Sequence, residues 1–373
     1  MQNFISFLFY LSLILCLLYI GILFVYSYLL QKIKSRPSTI KDNFPSVSIL
    51  VAARNEAHNI IECLTALDNL SYPEEQIEIL IGNDLSTDYT QMLVEGFIKN
   101  KPKFKLLNLT GKEFPQTRGK ARVLAFLASQ AKGNYFLITD ADISVPSNWA
   151  ENMIGLMLNN DADMCGGTTN IKAEKMLDKF QQVDWLYFMG IIHSFAAMGK
   201  PLTIVGNNMG LSKKAYEATG GYEQIPFSIT EDYALFDAVG KKGFKVVQNF
   251  DQGTMVYSKP LDSINAILKQ RKRWLTGGWD LPLYYHLVIF IFGAWYFALP
   301  VLVFFDWKLA VFLLLSKEFL QLFQFLKINK HLGIKTEHPL AVFLYDVYLF
   351  VLIPITAIYF LLPSKNIWKG RRY

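Results

Sequence analysis

Residues 4–30 contain no charged side chain, and most of 283–362 is similarly dominated by Leu, Phe, Val, Ile and Tyr. A helix of about 20 apolar residues crosses a bilayer core, so the 27 residues from Phe4 to Leu30 are long enough to span one. The chain is 52% hydrophobic and only 18% charged, but that excess is uneven: 31–282 has the make-up of an ordinary globular domain. These runs restrict the chain to a membrane-anchored protein with one substantial soluble part. A cleaved secretory signal would need a basic start, an apolar stretch of about 7–15 residues and a small-residue cleavage site. None is present, so Phe4–Leu30 reads as an uncleaved anchor. Lys32, Lys34, Arg36 and Lys41 follow it directly, and the positive-inside bias then places the N-terminus outside and residue 31 onward in the cytoplasm.

Three scattered cysteines (Cys16, Cys63, Cys165) form neither a disulfide framework nor a zinc pattern, as expected of a reduced compartment. The five histidines are equally dispersed. The net charge of +6 is modest, and the Lys and Arg residues gather beside apolar segments, which suits membrane lipids and not nucleic acid.

From Pro45 the pattern alternates between strand and helix. Val47–Ala52, Ile77–Ile81, Lys105–Leu109 and Tyr135–Ile138 read as strands. Asn59–Leu70 and Lys120–Ala131 read as helices, with another starting near Ser86-Thr87-Asp88, whose short polar side chains suit a cap. Repeated βαβ units with near-continuous apolar strands predict a parallel sheet covered by helices. Ligands on such sheets gather at the carboxyl ends of the strands. Arg54-Asn55-Glu56, Asp84 and Asp140-Ala141-Asp142 all fall there, so one cleft collects the acidic groups.

Residues 163–260 are less regular. Asp163–Thr169 and Gly206–Gly210 read as strands and glycine-rich turns lining the other side of the cleft. Ser212–Thr219 is a short helix stopped at Gly220-Gly221, and Thr230-Glu231-Asp232 opens another, where the macrodipole favours a carboxylate. The expected divisions are an anchor at 4–30, an α/β domain at 45–260, an interfacial amphipathic segment at 261–282 and a membrane region at 283–363. That region holds helices at 284–305, 309–326 and 339–362. The middle one carries Lys317-Glu318, and the last holds Pro354. Arg271 and Lys272 read as lipid-facing charges. With three tail helices the basic tail (Lys365, Lys369, Arg371, Arg372) falls on the side that the positive-inside rule disfavours.

Two carboxylates one residue apart at a strand end can share a hard divalent cation, Mg²⁺ or Mn²⁺. Around that pair the chain resembles the membrane-bound inverting glycosyltransferases of family 2, with their nucleotide-sugar-binding GT-A fold, over about 46–280. Val47–Glu56 is similar to the family's first strand and its "ARNE" turn. Asn83-Asp84-Leu85-Ser86-Thr87-Asp88 resembles its "DDxSTD" element, with Asn83 replacing the first acid. Gly119-Lys120-Ala121-Arg122 resembles the "GKA" helix start, and Asn207–Lys214 with Gly220-Gly221-Tyr222 the acceptor-side segment. Thr230-Glu231-Asp232 and Gln270-x-x-Arg273-Trp274 match the TED and QxxRW motifs of synthases that act at membranes.

The resemblance implies a Rossmann-like α/β fold flanked by transmembrane helices, and a transfer from a nucleotide-diphosphate sugar, most simply a UDP-hexose, to a lipid or glycan hydroxyl. Asp232 is then the general base. Ala53, Arg54, Glu56, Asp84, Lys120 and Asp140 bind the nucleotide sugar. Asp142 and Asp140 hold the metal. Glu231, Gln270, Arg273 and Trp274 serve diphosphate and acceptor. A processive polysaccharide synthase is the alternative, and its channel would need an oligomer or a partner subunit given so few helices. Transfer to a lipid or short glycan fits the chain length better. A non-catalytic membrane scaffold would be favoured by loss of the base or metal ligands, yet Asp142 and Asp232 are present. A phosphotransferase using Asp140-Ala141-Asp142 as nucleophile gives no role to Thr230–Asp232 or Gln270–Trp274.

Overall fold

The computed structural model describes residues 2–36, 38–40, 43–335, 339–363, 367–368 and 371–372. Lys41 of the basic flank and Lys365 and Lys369 of the basic tail lie outside them. Along the chain, α1 (Gln2–Leu30) is followed by β1 (Val47–Ala53), α2 (Ile60–Asp68), β2 (Ile77–Asn83), α3 (Thr90–Ile98), β3 (Phe104–Asn108), α4 (Gly119–Gln130) and β4 (Tyr135–Asp140). Next come β5 (Ile143–Ser144), α5 (Trp149–Leu158), β6 (Met164–Gly166), β7 (Thr168–Ile171), α6 (Met176–Ala197), β8 (Asn208–Ser212), α7 (Lys213–Ala218), α8 (Gly221–Gln224) and α9 (Glu231–Lys241). The remainder comprises β9 (Val246–Gln248), β10 (Met255–Ser258), α10 (Ile264–Gly277), α11 (Leu283–Phe305), α12 (Trp307–Leu332) and α13 (Pro339–Leu361).

These elements form two units. The α/β unit comprises Ile33–Lys172 and Phe188–Pro260. Its main sheet runs β3-β2-β1-β4-β8-β6-β9, and a small sheet runs β5-β10-β7. Alternation explains the apolar runs. Ile49 and Val51 of β1, Ile79 and Ile81 of β2 and Leu137 of β4 pack on one face with α2 and α5. Leu50, Leu80, Phe136 and Ile138 pack on the other with α4 and α9. Both faces are covered, so the strands are apolar on both sides at their centres, and each such side chain contributes about 1.5–3 kcal/mol by burial.

The expected βαβ units form, with β1 parallel to both β2 and β4 and β2 parallel to β3. The sheet is nevertheless mixed and not parallel throughout, because β8 runs antiparallel to β4 and β6. Its register sets Asn208 beside Thr139, so the chain entering β8 arrives at the carboxyl end of β4. Helix α3 starts at Thr90, later than Ser86–Asp88 suggested, because Ser86, Thr87 and Asp88 are tied to the neighbouring 55–57 loop, Asp88 also accepting from the Thr90 amide at 3.0 Å.

The helical unit comprises Met1–Lys32, Ala173–Tyr187 and Leu261–Tyr373. Among the described residues four helices are long and apolar enough to cross a membrane: Gln2–Leu30, Leu283–Phe305, Trp307–Leu332 and Leu340–Leu361. α12 tolerates its charges because Lys317 is fully buried and pairs with Asp346 of α13, which also accepts from Tyr296 of α11 at 3.2 Å. Ionisable side chains at such depth are costly unless paired inside the bundle. α13 continues as one helix through Pro354. Arg271 and Lys272 do not face lipid. Arg271 pairs with Asp184 at 2.6 Å, and the buried Lys272 ammonium donates to the Leu362 carbonyl at 2.7 Å. Carbonyls at a helix C-terminus have no intrahelical donors, so a lysine there is well placed.

Candidate active site

The carboxyl ends of β1 and β2 are tied into one surface. Ala53 closes β1 opposite Asn83, and its carbonyl accepts from the Asp84 amide at 2.9 Å. The Arg54 guanidinium donates to the carbonyls of Asp84 and Leu85. Asn55 and Leu85 both adopt positive φ, at 52° and 53°. That conformation is uncommon outside glycine and marks a constrained turn. Cross-links hold it: the Thr87 amide donates to Asn55 Oδ1 at 2.8 Å, and the Ala57 amide to Asp88 Oδ2 at 3.0 Å. The buried Glu56 accepts from Asn59 Nδ2 at 2.8 Å, and Asp84 is buried beneath the turn. Asn83 Nδ2 donates to Asn108 at 2.8 Å and Gln91 at 3.3 Å while its Oδ1 accepts from the Ser86 amide at 3.2 Å, a role for which an amide with both donor and acceptor is suited.

Next to β1 the strand order reverses, since β2 and β3 extend one way and β4 the other. Open α/β sheets bind ligands at such a switch point. Asp140 ends β4 there, in register with Ala52, and Asp142 follows in the turn to β5. Lys120, in the first turn of α4, lies 2.5 Å from Asp140 Oδ1 and 3.2 Å from Glu231 Oε1. Burial alone would depress the Lys120 ammonium, but the Asp140 and Glu231 carboxylates outweigh it and hold its pKa above the usual lysine range. Burial lifts Glu231 above the usual carboxylate range, with Lys120 opposing and Asp232 adding to the shift.

Asp232 occupies the first turn of α9. Its Oδ2 accepts from the Gly206 amide and its Oδ1 from the Tyr233 amide, each at 2.8 Å. A Cβ at position 206 would lie 2.8 Å from Asp232 Cβ, so only glycine lets the carboxylate approach this closely. The structure thus gathers Lys120, Asp140, Glu231 and Asp232 around one edge of the sheet. Gln270, Arg273 and Trp274 lie on α10 in the helical unit, where the Trp274 ring meets Trp185 edge-on at 5.6 Å.

Comparison with known proteins agrees with this architecture. Residues 48–220 match the model of glycosyl transferase family 2, and residues 135–362, more than half of the chain, match that of glycosyl transferase family group 2. The chain belongs to this glycosyltransferase family. It is similar to a poly-β-1,6-N-acetyl-D-glucosamine synthase of Staphylococcus epidermidis, 26% identical over 263 residues, covering 69% of this chain and 61% of the relative. It is also similar to a β-monoglucosyldiacylglycerol synthase of Nostoc sp., 27% identical over 256 residues, covering 67% and 53%. The chain therefore spans about three-fifths or less of the length of these curated relatives. In fold it is similar to the mannosyltransferase PcManGT from Pyrobaculum calidifontis, solved with GDP-Man and Mn²⁺, with a TM-score of 0.60, 16% identity and coverage of 95% and 99%. The α/β unit is accordingly a GT-A-like fold with a mixed sheet.

Some residues that support the Asp232 carboxylate were not visible in the sequence as such. Gly206 stood out only as part of a glycine-rich turn, and Asn207 as the start of the acceptor-side segment. In the structure the Thr139 hydroxyl donates to the Asn207 carbonyl at 3.0 Å and the Thr169 hydroxyl to Asn207 Oδ1 at 2.8 Å, fixing the turn that presents the Gly206 amide. Asn208, fully buried, accepts from Trp149 Nε1 at 2.9 Å and donates to two backbone carbonyls. The signal available was two polar residues directly before an apolar strand, which a close-packed interior admits only when they are hydrogen-bonded.

Proposed function

We propose that this chain is an inverting glycosyltransferase that moves a hexose from a UDP-linked donor to a lipid or short-glycan hydroxyl at the cytoplasmic membrane face. The observation that carries this reading is Asp232, aimed by the Gly206 and Tyr233 amides beside the Lys120–Asp140–Glu231 cluster. Two amide donors fix the carboxylate's orientation, as a general base requires. In this reading Asp232 takes the proton of the acceptor hydroxyl as that oxygen attacks the anomeric carbon. One displacement inverts the configuration. Lys120 meets the diphosphate, and Asp84, Arg54, Ala53 and Glu56 form the nucleoside end of the site. To Gln270, Arg273 and Trp274 we assign the roles that their motif implies, contact with diphosphate and acceptor.

The donor set suits a divalent ion. Asp140, Asp142, Glu231 and Asp232 supply only hard oxygens and outnumber the single Lys120. No group of three His, Cys, Asp or Glu that could hold an ion stands together among the described residues. Mg²⁺ and Mn²⁺ sites commonly use one or two carboxylates and complete their shell with substrate phosphates and water. Asp142, with Asp140, would hold the ion, which would offset charge on the diphosphate leaving group. The Mn²⁺ and GDP-Man in the archaeal neighbour support this choice. The relatives' names support both lipid and polymer acceptors, and four candidate spans favour single transfer over a self-contained channel. Lys32, Lys34 and Arg36 after α1 support the cytoplasmic placement.

The test is purified protein with a panel of nucleotide sugars and Mn²⁺ or Mg²⁺, followed by mass analysis of lipid and glycan products and NMR of the new anomeric centre. A β-linked product from an α-linked donor is expected, and Asp232→Asn should lower kcat by about 10²–10⁴-fold, the usual worth of a general base. No consumption of any donor, or a fully active Asp232→Asn variant, would sink this reading.

A further inference from the structure

Helix α10 bears the Gln270–Trp274 motif, yet its own fixings involve different residues, supplied by one face of α6. Gln181 exchanges two hydrogen bonds with the backbone of Leu261, just before α10: its Oε1 accepts from the Leu261 amide at 2.8 Å and its Nε2 donates to the Leu261 carbonyl at 3.0 Å. One turn on, Asp184 receives Arg271 on Oδ2 at 2.6 Å and the Tyr345 hydroxyl of α13 on Oδ1. The next residue, Trp185, meets Trp274 edge-on at 5.6 Å with the rings 89° apart. Positions 181, 184 and 185 share one side of a helix, and 271 and 274 share one side of another. Both side chains of the Asp184–Arg271 pair are largely withdrawn from solvent, at 28% and 14% exposure, so the pair is not a loose surface bridge.

We infer that Asp184 is a positioning residue for the Gln270–Trp274 motif: through Arg271 it sets the rotation of α10, and so the direction in which Gln270 and Arg273 point. A planar guanidinium gripped by a carboxylate fixes orientation as well as distance. Tyr345 takes the second carboxylate oxygen and ties the same group to α13. This rests on the proposed role of Gln270, Arg273 and Trp274, whereas the clamp itself rests on the contacts just given.

The experiment uses the full chain in nanodiscs, comparing wild type with Asp184→Asn, Asp184→Glu and Trp185→Phe. Hydrogen exchange is followed over 264–277, and UDP affinity and donor turnover are measured alongside. Asp184→Asn should speed exchange in α10 by about tenfold or more while the strands of the α/β unit keep wild-type protection. It should also weaken UDP binding and lower kcat by about tenfold, and Asp184→Glu should recover most of both. Trp185→Phe, which leaves no buried charge unpaired and so guards against a misfolded Asp184 variant, should reproduce the change in smaller degree. Unchanged exchange over 264–277 in both Asp184→Asn and Trp185→Phe overturns the clamp. Faster exchange with wild-type UDP affinity and turnover overturns the positioning role. Faster exchange and weaker UDP binding in a protein whose wild type transfers no sugar supports the clamp and rejects the functional reading instead.

Discussion

Each unit of this chain contains a lysine drawn out of water onto an aspartate, and the two pairs differ in what surrounds them. Lys317 and Asp346 are 0% and 5% exposed and lie between membrane-type helices, with Tyr296 donating to the same Asp346 oxygen and Gln321 accepting from Lys317. Lys120 and Asp140 are 14% and 34% exposed and stand at the open end of the sheet, with Glu231 as a second anion. A sealed pair can only hold helices together, because losing either member strands a charge in a medium that cannot solvate it. A pair open on one side can give up its cation to an incoming anion, since Asp140 can then be served by water or a metal ion. The same kind of ion pair is thus a lock in one unit and, in the proposed reading, a place held for substrate in the other.

The sharpest way to break this comparison is to remove each lysine. Lys317→Met should cost about 3–5 kcal/mol by leaving Asp346 without its cation, seen as a fall in the thermal midpoint in detergent. Lys317→Met/Asp346→Leu should recover most of that loss. Lys120→Met should barely move the midpoint, yet should reduce transfer by about 10²-fold or more, as loss of a charge aimed at a leaving group does. If both variants melt early, or neither does, the distinction between lock and site fails.

A smaller effect is expected at Gly206. The Cβ of Gly206→Ala would sit 3.1 Å from Asp232 Oδ2 and push the proposed base out of line. Transfer should fall by roughly ten- to a hundredfold, more in kcat than in KM, because a misplacement of about 1 Å is enough for a loss of that order. An alanine variant with wild-type kcat would show that the Gly206 contact does not aim the base.

Smaller again is a pH effect at Glu231, whose pKa burial raises above that of the unfolded chain. A raised folded-state pKa gives a contribution fully present below the unfolded value and lost as pH rises through the folded one. Wild-type stability should therefore decline as pH rises through the window just above the usual carboxylate range, and Glu231→Gln should flatten that decline. Parallel pH–stability curves for the two proteins would contradict it. The least effect belongs to Ser212, whose hydroxyl caps α7 by accepting from the Ala215 amide at 3.1 Å. Ser212→Ala should cost about 1 kcal/mol and leave transfer per folded molecule unchanged, which separates scaffold from site within one unit.

Strands β1, β2 and β4 were legible because a strand buried on both faces reads as a short, nearly continuous apolar run. Asp140, Asp142 and Asp232 were legible as candidates because their placement at strand and helix ends follows from local pattern alone. The direction of β8 was not legible: five residues with an internal glycine carry no mark of polarity, and only pairing with β4 and β6 determines it. Lys120 could be picked out by its motif, but its partners stand 20 and 111 positions away in the chain. Arg271 and Lys272 misled for a related reason. Helical periodicity tells which residues share a face and not what that face meets, so charges beside apolar segments read as lipid-facing although α6 and α13 had already claimed them.

By itself, then, the sequence determined the kinds of element and their order: apolar helices at both ends, a doubly covered sheet between, and carboxylates at the strand and helix ends. Those properties depend on near neighbours in the chain, through side-chain periodicity and the limits on burying charge. Tertiary structure alone decided which charges meet. It made Lys317 a seam between helices, set Lys120 between two carboxylates at the open edge, and used an antiparallel strand to bring the Gly206 amide to Asp232. Such encounters join residues far apart along the chain, and their energies depend on how much water each pocket excludes, which no local pattern records.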